Sequence, residues 1–574
     1  MLKENPPPRP ASFCEAARAI FSKNGKVHVR VVLLRPPGGE KTSRMSQTAL
    51  SPADVLIVGA GPTGLTAALS LAQAGVGVRI VDRLAAPMRQ SRAAIIHART
   101  LEHFERLGII DDFLAAGVRV HGANIVGEGN IELLHPRLDK LPTAYPFMLG
   151  LDQSHTEAIL ERHLAGCGVK VERGTEFLAY DETDSAVSVR LRQETGALEA
   201  ASFRYVIGAD GAHSAVRAAM KLHLEGETLD TVWITADVKI SWEQPADELF
   251  AYLGRTGLIF IAPLNDNRWR VILNVSGMTM RDAEKLGLAE ISDIILARFG
   301  SRIPMYDPVW ISPFAINTRL SPSMKKGRVF IAGDASHVHS PVGGQGMNTG
   351  IQDAVNLAWK LASVLQGFGG EGLLASYQIE RHGNARKLLE RVGPATRMAD
   401  LHSSLSVEMR NHVIRFVGLI GMGDAMAETV SMLDVSYRDS AIVEEGHLGW
   451  FSGAPHAGER APDAWGLRKR SGAQTRLHSL WKGDGRFQLL IFGNAIVPAE
   501  LPGFVRVIRI FREGNAGDSV FIDRRGEAHK AYSVGSGGAC YLIRPDGIIS
   551  YRGVASDMSL LIKHLQRNFG ENQK

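Results

Sequence analysis

The sequence contains no run of 18 or more apolar residues, so no segment reads as a membrane-spanning helix. Cysteine is scarce: Cys14, Cys167 and Cys540 stand alone among 574 residues, with no CxxC pair and no metal-ligand spacing. That scarcity excludes a disulfide framework and a cysteine-held zinc, and it fits a reducing, cytoplasmic setting. Internal repeats and low-complexity tracts are also lacking. The body carries no excess of either charge sign. Of the formal net charge of +5, residues 1–45 hold +6 (nine Lys/Arg against three Glu), which leaves −1 for the remainder. A near-neutral body offers no phosphate track, so nucleic acid is not an expected partner. His337 and His339 are spaced like a metal pair, but no carboxylate or cysteine array completes them, and no metal is expected.

What is present reads as a multidomain globular chain. Hydrophobic content of 45% and charged content of 22% are ordinary, and the length predicts two or three domains. Residues 1–50 are Pro-rich, without the apolar core of a signal peptide. They read as a disordered extension, or as text upstream of a start at Met45, in preference to a transit peptide. Asp54–Gly59 (DVLIVG) is a buried strand, Leu65–Ala74 has helical spacing ending at Gly75, and Val76–Asp82 is the next strand; together they form a βαβ unit. From Thr231 to Val275 the pattern turns to alternating β-branched and aromatic segments, read as antiparallel strands walling a pocket. An α/β pattern resumes after Gly327, with a strong helix over Gly350–Leu365. Residues 446–485 read as a linker rich in Gly, Pro, Arg and Ser. A last α/β module over 486–574 turns at Pro545–Gly547.

Three motifs carry chemistry. The first is Gly59-Ala60-Gly61-Pro62-Thr63-Gly64, which leads from strand to helix, with Asp82 23 residues after Gly59 and Arg83 beyond it. The first Gly permits the turn, the second admits a pyrophosphate to the backbone, and the third lets helix and strand pack; Asp82 is placed for a ribose hydroxyl. This motif alone does not separate NAD from FAD. The second is Tyr205–Arg217, a strand ending at Asp210 and Gly211. The third, Gly327–Gly350, is a strand ending at Gly333 and Asp334, followed by a Gly-rich loop that enters a helix. An Asp beside Gly at a strand end can accept from polyol hydroxyls, and helix-entry N–H groups stabilise negative charge. A flavin needs both.

With these motifs, residues 53–440 resemble the class A flavoprotein aromatic hydroxylases, typified by para-hydroxybenzoate hydroxylase. The resemblance implies a Rossmann-like FAD-binding domain over 51–230 with 320–400, continuing as helices to 445, and an inserted antiparallel-sheet substrate domain over 231–319. It further implies that Gly59, Gly61, Pro62, Thr63 and Gly64, with Asp82 and Arg83, serve the ADP part of FAD. Asp210 and Gly211 would serve FAD and NAD(P)H, and Gly333 with Asp334 would hold the ribityl chain. Pro341, Gly346, Met347 and Asn348 would lie along the isoalloxazine, with the last two N–H groups facing its C2 carbonyl. Arg99 looks like the Arg that meets flavin and nicotinamide, and Gln153 like the Gln near the ribityl group. Phe487–Phe569 resembles the thioredoxin-like C-terminal domain of larger members; here Phe492-Gly493-Asn494-Ala495 lacks the redox thiols.

The implied activity is hydroxylation of a phenolic or otherwise electron-rich aromatic with NADPH or NADH and O2, through a flavin C4a-hydroperoxide, and a homodimer is implied as well. The substrate pocket is expected along Thr231–Val275 and around Tyr306, Trp310 and Phe314; no general base is identifiable. Rival readings are a flavin halogenase, whose WxWxIP signature is absent, a flavin reductase, and a non-catalytic FAD-binding scaffold.

Overall fold

The computed structural model describes residues 53–88, 93–340, 343–399, 408, 411, 423–446, 453–499, 501–535 and 537–570, the side chains of 392–399 and 423–425 excepted. The expected extension over 1–50 lies outside them. Strand β1 (Val55–Val58) leads into helix α1 (Pro62–Gln73) and strand β2 (Val78–Asp82). Helices α2 (Ala98–Arg106) and α3 (Gln153–Gly166) follow, then strand β3 (Tyr205–Gly208). Every residue of β1 and β3 is buried, as a parallel sheet covered on both faces requires of its strands. Ile57 pairs with Ile207 on one side and Ile80 on the other, all parallel.

The chain then builds a second sheet from β4 (Glu225–Ile240), β5 (Gly257–Pro263), β6 (Trp269–Val275) and β7 (Met305–Leu320), with helix α4 (Leu288–Phe299) inserted before β7. Alternation along β4 decides its two faces. Ile234, Ala236 and Val238 join Val271, Leu273, Ile291 and Ile295 in the core beneath α4. Trp233, Thr235 and Asp237 therefore point the other way, as do their β7 partners Phe314, Ser312 and Trp310. The sheet has eight strands and reaches beyond the expected 231–319. It recruits Gly122–Val126 and Glu132–Leu134 on one edge and His337–Val338 on the other. These short segments carry too little pattern to be assigned to a sheet by sequence alone.

Strand β8 (Val329–Ile331) returns to the first sheet beside β3, and helix α5 (Gly346–Leu365) packs along α1. Strands β9 (Phe487–Phe492), β10 (Val505–Phe511), β11 (Ala539–Ile543) and β12 (Ile549–Gly553) form the last sheet, closed by helix α6 (Ser559–Phe569). β9 pairs parallel with β10 and antiparallel with β11, which forms a hairpin with β12. The expected linker over 446–485 is in large part no free connector. Leu467–Arg468 and Gln474–Thr475 join this sheet, and Ala457, Ala461, Ala464, Leu477 and Trp481 are buried in its core. Its Gly and Pro residues break periodicity without preventing burial of the apolar residues between them. Among the described residues no helix is long and apolar enough to cross a membrane.

Candidate active site

The three glycine motifs meet at the carboxyl ends of β1, β3 and β8, where open parallel sheets bind ligands. Gly59 has φ +104°, and a Cβ on it would lie 2.3 Å from the Ala209 carbonyl oxygen; one on Gly64 would lie 1.9 Å from that of Gly59. Both positions are thus dictated by protein packing. Gly61 differs: its missing side chain faces no protein atom within 4 Å. It is the N-cap of α1, with Pro62 in the first turn and no side-chain cap. Thr63 packs the first motif against the third, since a Cβ on Gly333 or Gly350 would come within 2.6 Å or 2.4 Å of its Oγ1. Asp82 accepts from the Ala60 N–H at 2.7 Å and the Leu84 N–H at 2.8 Å, pinning the glycine turn to the end of β2; Arg83 is exposed.

In the second motif the Asp210 carboxylate accepts from Ser214 Oγ (2.5 Å), Ala215 N–H (2.7 Å) and Val216 N–H (3.2 Å). These bonds secure the start of the short helix that follows, so this carboxylate is engaged by its own loop, and burial pushes its pKa up. Gly211, with φ +80°, faces open space. Arg217 ties this loop to the third motif by donating to the Ala335 and Ala212 carbonyls at 2.9 and 2.8 Å.

The third motif rests on residues whose role the sequence reading missed. Gly333 donates its N–H to Asp353 Oδ2 (3.0 Å), which also meets His337 Nε2 at 2.7 Å, while Arg381 Nε donates to Oδ1 at 2.7 Å. Burial pushes the Asp353 carboxyl up, but Arg381 and His337 outweigh it and hold the pKa below the usual range. Asp334, at the turn so pinned, is exposed. Pro341 lies outside the described residues. Gly346, half-buried Met347 and buried Asn348 form the first turn of α5, which has neither an acidic residue nor a side-chain cap. Its N–H groups and helix dipole therefore present positive character there. The Asn348 side chain donates to the Ile95 and Gly344 carbonyls and accepts the His97 N–H. His97 Nε2 lies 2.8 Å from the Gly343 carbonyl and must donate to it; burial pushes this imidazole down to about 4. Asp353, a charged residue on a helix otherwise free of charge from Gly346 to Trp359, is a signal that could have found part of this support; Arg381 lies among polar neighbours and carries none.

Two expectations need restating. The Arg99 guanidinium is turned to Glu102 (2.9 Å) and the Asp546 carbonyl (2.8 Å), not to the glycine loop. Glu102, one turn on, and the last module capture it, and it is 2% exposed. Tyr306 is exposed, whereas Trp310 and Phe314 share the open sheet face with buried Trp233 and half-buried Phe260 and Ile272. On that face Arg270 and Asp237 form a buried bidentate pair, both contacts 2.7 Å, and Trp310 donates to Asp237 at 3.0 Å.

Gln153 opens α3 and donates to Glu157 at 2.8 Å. Burial raises Glu157 to about 7, with Asp82 and Glu161 adding to the rise. Between roughly pH 4.5 and 7 the folded state therefore keeps a proton that the unfolded state releases, and stability falls as pH rises through that window. FAD-free Glu157→Gln should match the wild type near pH 5 and exceed it at pH 8 by on the order of 2–3 kcal/mol in urea unfolding. A difference independent of pH would refute this.

A family model described as "FAD binding domain" matches residues 52–392. The chain belongs to the class A FAD-dependent aromatic hydroxylases. It is 33% identical over 533 residues to 6-methylpretetramide 4-monooxygenase of Streptomyces rimosus, covering 89% of this chain and 93% of the relative. Identity to pentachlorophenol 4-monooxygenase of Sphingobium chlorophenolicum is 31% over 531 residues, covering 89% and 96%. Among solved structures, the anhydrotetracycline hydroxylase of Streptomyces rimosus superposes with a TM-score of 0.71 at 26% identity, over 91% of this chain and 99% of that one. This family member is an FAD-dependent monooxygenase of aromatic small molecules, with O2 as co-substrate and the family's NAD(P)H as reductant.

Proposed function

We propose that FAD lies along the crevice just described and that a phenolic or otherwise electron-rich aromatic is hydroxylated against the open face of the large sheet. The observation that carries the FAD placement is the contrast among glycines: Gly59 and Gly64 are required by protein contacts, while Gly61 and Gly211 face space that protein does not fill. In this reading Gly61 and the α1 N-terminus take the pyrophosphate, and Asp82 keeps lone pairs for a ribose. Gln153 and exposed Asp334 serve the ribityl hydroxyls, and the Gly343–Asn348 loop takes the ring. The relatives named for pentachlorophenol and for 6-methylpretetramide support the substrate class.

When bound, FAD supplies two-electron chemistry with NADPH or NADH and activates O2. The chain's own share is placement and electrostatics. The uncapped first turn of α5 stabilises negative charge beside it, and His97 with Asn348 keeps the adjoining loop in one geometry. Half-buried Phe260, Trp310 and Phe314, backed by buried Trp233, exclude water and stack on a ring. The last module is read as thioredoxin-like in its strand and helix order; buried Cys540, whose thiol burial pushes up to about 12, does no redox work.

The test is NADPH and NADH oxidation by the yellow protein with a panel of phenols and polycyclic aromatics, following peroxide and hydroxylated product. The proposal expects one aromatic to stimulate oxidation with product matching reductant consumed. Oxidation that no aromatic in the panel stimulates, or that yields only peroxide, counts against the substrate class.

A further inference from the structure

Between β11 and β12 the chain turns at Arg544–Gly547, with the Gly547 N–H donating to the Arg544 carbonyl at 2.8 Å and Gly547 at φ +76°. A hairpin tip of this type ordinarily sits at the surface. Here Arg544 is 1% and Asp546 3% exposed. The Asp546 carbonyl accepts from Arg99 (2.8 Å) and Arg106 (2.6 Å), both on α2. Its carboxylate accepts from Asn356 and Trp359, both on α5, at 3.2 Å each. One residue of the last module therefore bonds both helices. The turn is seated closely: a Cβ on Gly547 would lie 1.9 Å from Arg106 Nη2. Beneath it Arg544 pairs with Glu380 at 2.7 and 2.9 Å, and Glu380 also holds Lys360 of α5 at 2.7 Å.

The same two helices are joined elsewhere. Asn348 in the first turn of α5 bonds Ile95 and His97, immediately before α2. Asn348 and Asn356 are eight residues apart, about 12 Å along a helix. A single tie would let the helices pivot about it, whereas two ties at that separation set the angle between them. The Asn348 tie forms one wall of the loop assigned above to the flavin ring.

We propose that the Arg544–Gly547 turn, through Asp546, is a positioning element for the flavin: it clamps α2 to α5 and so holds the ring loop in register. This rests on the FAD placement proposed above. It gives the last module, which lacks redox thiols, a part in the reaction by geometry alone.

The test compares full-length, FAD-loaded Asp546→Asn and Trp359→Phe with wild type. The first removes the carboxylate charge at constant size, and the second removes the indole N–H donor together with part of a buried ring that packs on Phe487. Ser550→Ala is the control. It removes buried bonds to the Ile442 carbonyl and His564 in the same module without touching either helix. We expect both turn variants to shift the absorption bands of bound flavin and to raise peroxide per NAD(P)H by about threefold or more, since small misplacements of reacting groups have large effects. Ser550→Ala should leave both readouts at wild type. If Asp546→Asn fails to fold, Trp359→Phe carries the test. Wild-type spectra and coupling in the folded turn variants, or equal changes in Ser550→Ala, would overturn the positioning role. A wild-type protein that binds no FAD would instead overturn the placement on which it rests.

Discussion

Gly61→Val folds normally and loses FAD. A Cβ added at this position has no protein atom within 4 Å. Gly61 has φ −76° and ψ 179°, a region open to any residue, so no backbone strain follows. The remaining effect on the apo-protein is the change of N-cap residue, about 1 kcal/mol or less. For a ligand the change is larger, because a branched side chain fills the space where a pyrophosphate would reach the N–H groups of α1. We expect FAD affinity to fall by at least about 100-fold, close to 3 kcal/mol, with the urea midpoint of the apo-protein little changed. Gly64→Ala behaves in the opposite way. Its Cβ would stand 1.9 Å from the Gly59 carbonyl oxygen, so the fold itself suffers and FAD loss follows from that. Fluorescence titration with FAD and urea unfolding of both apo-variants separate the two cases. Equal FAD affinity in Gly61→Val and wild type would contradict the placement of the pyrophosphate.

Asp353→Ala destabilises the chain by about 3–5 kcal/mol, the range for removing one partner of a buried ion pair. Arg381 is 0% exposed; without Asp353 its guanidinium retains, among the described residues, Tyr437 Oη and the Thr349 carbonyl, both neutral acceptors. The Gly333 N–H and His337 lose their acceptor together, so the turn that presents Asp334 is released as well. A double variant, Asp353→Leu with Arg381→Met, removes the stranded charge and should recover much of the stability. It should not recover FAD affinity, because the Gly333 N–H and His337 remain without the carboxylate that orients the turn. The pH dependence has a definite sign. The Asp353 pKa is held below its unfolded value, so its contribution is present above about pH 4 and is lost as pH falls through the folded value. Urea midpoints from about pH 3 to 7 together with FAD titrations at neutral pH test this. An unchanged midpoint in Asp353→Ala would show that the buried pair does not stabilise the fold.

The sequence by itself determined the three glycine motifs, their order, and the parallel strands that carry them. Those are local matters. A turn with φ +104° at Gly59, or a carbonyl oxygen 1.9 Å from a would-be Cβ at Gly64, restricts the residue to glycine, and a strand buried on both faces must be apolar. The alternation from Thr231 onward likewise announced an antiparallel sheet, while the structure decided which of its faces packs beneath α4. Tertiary structure alone decided which charges are buried and whom they meet. Arg99, expected to meet the flavin, donates to the carbonyl of Asp546, 447 residues away. Arg460, in what read as a linker, closes on Glu102 across 358 residues. Asp353 and Arg381, 28 residues apart, are set 2.7 Å from one another only by folding. The physical reason is the same in each case. A buried charge is tolerable only with its partner, and the partner's identity depends on packing between segments distant in sequence, about which local pattern carries no information.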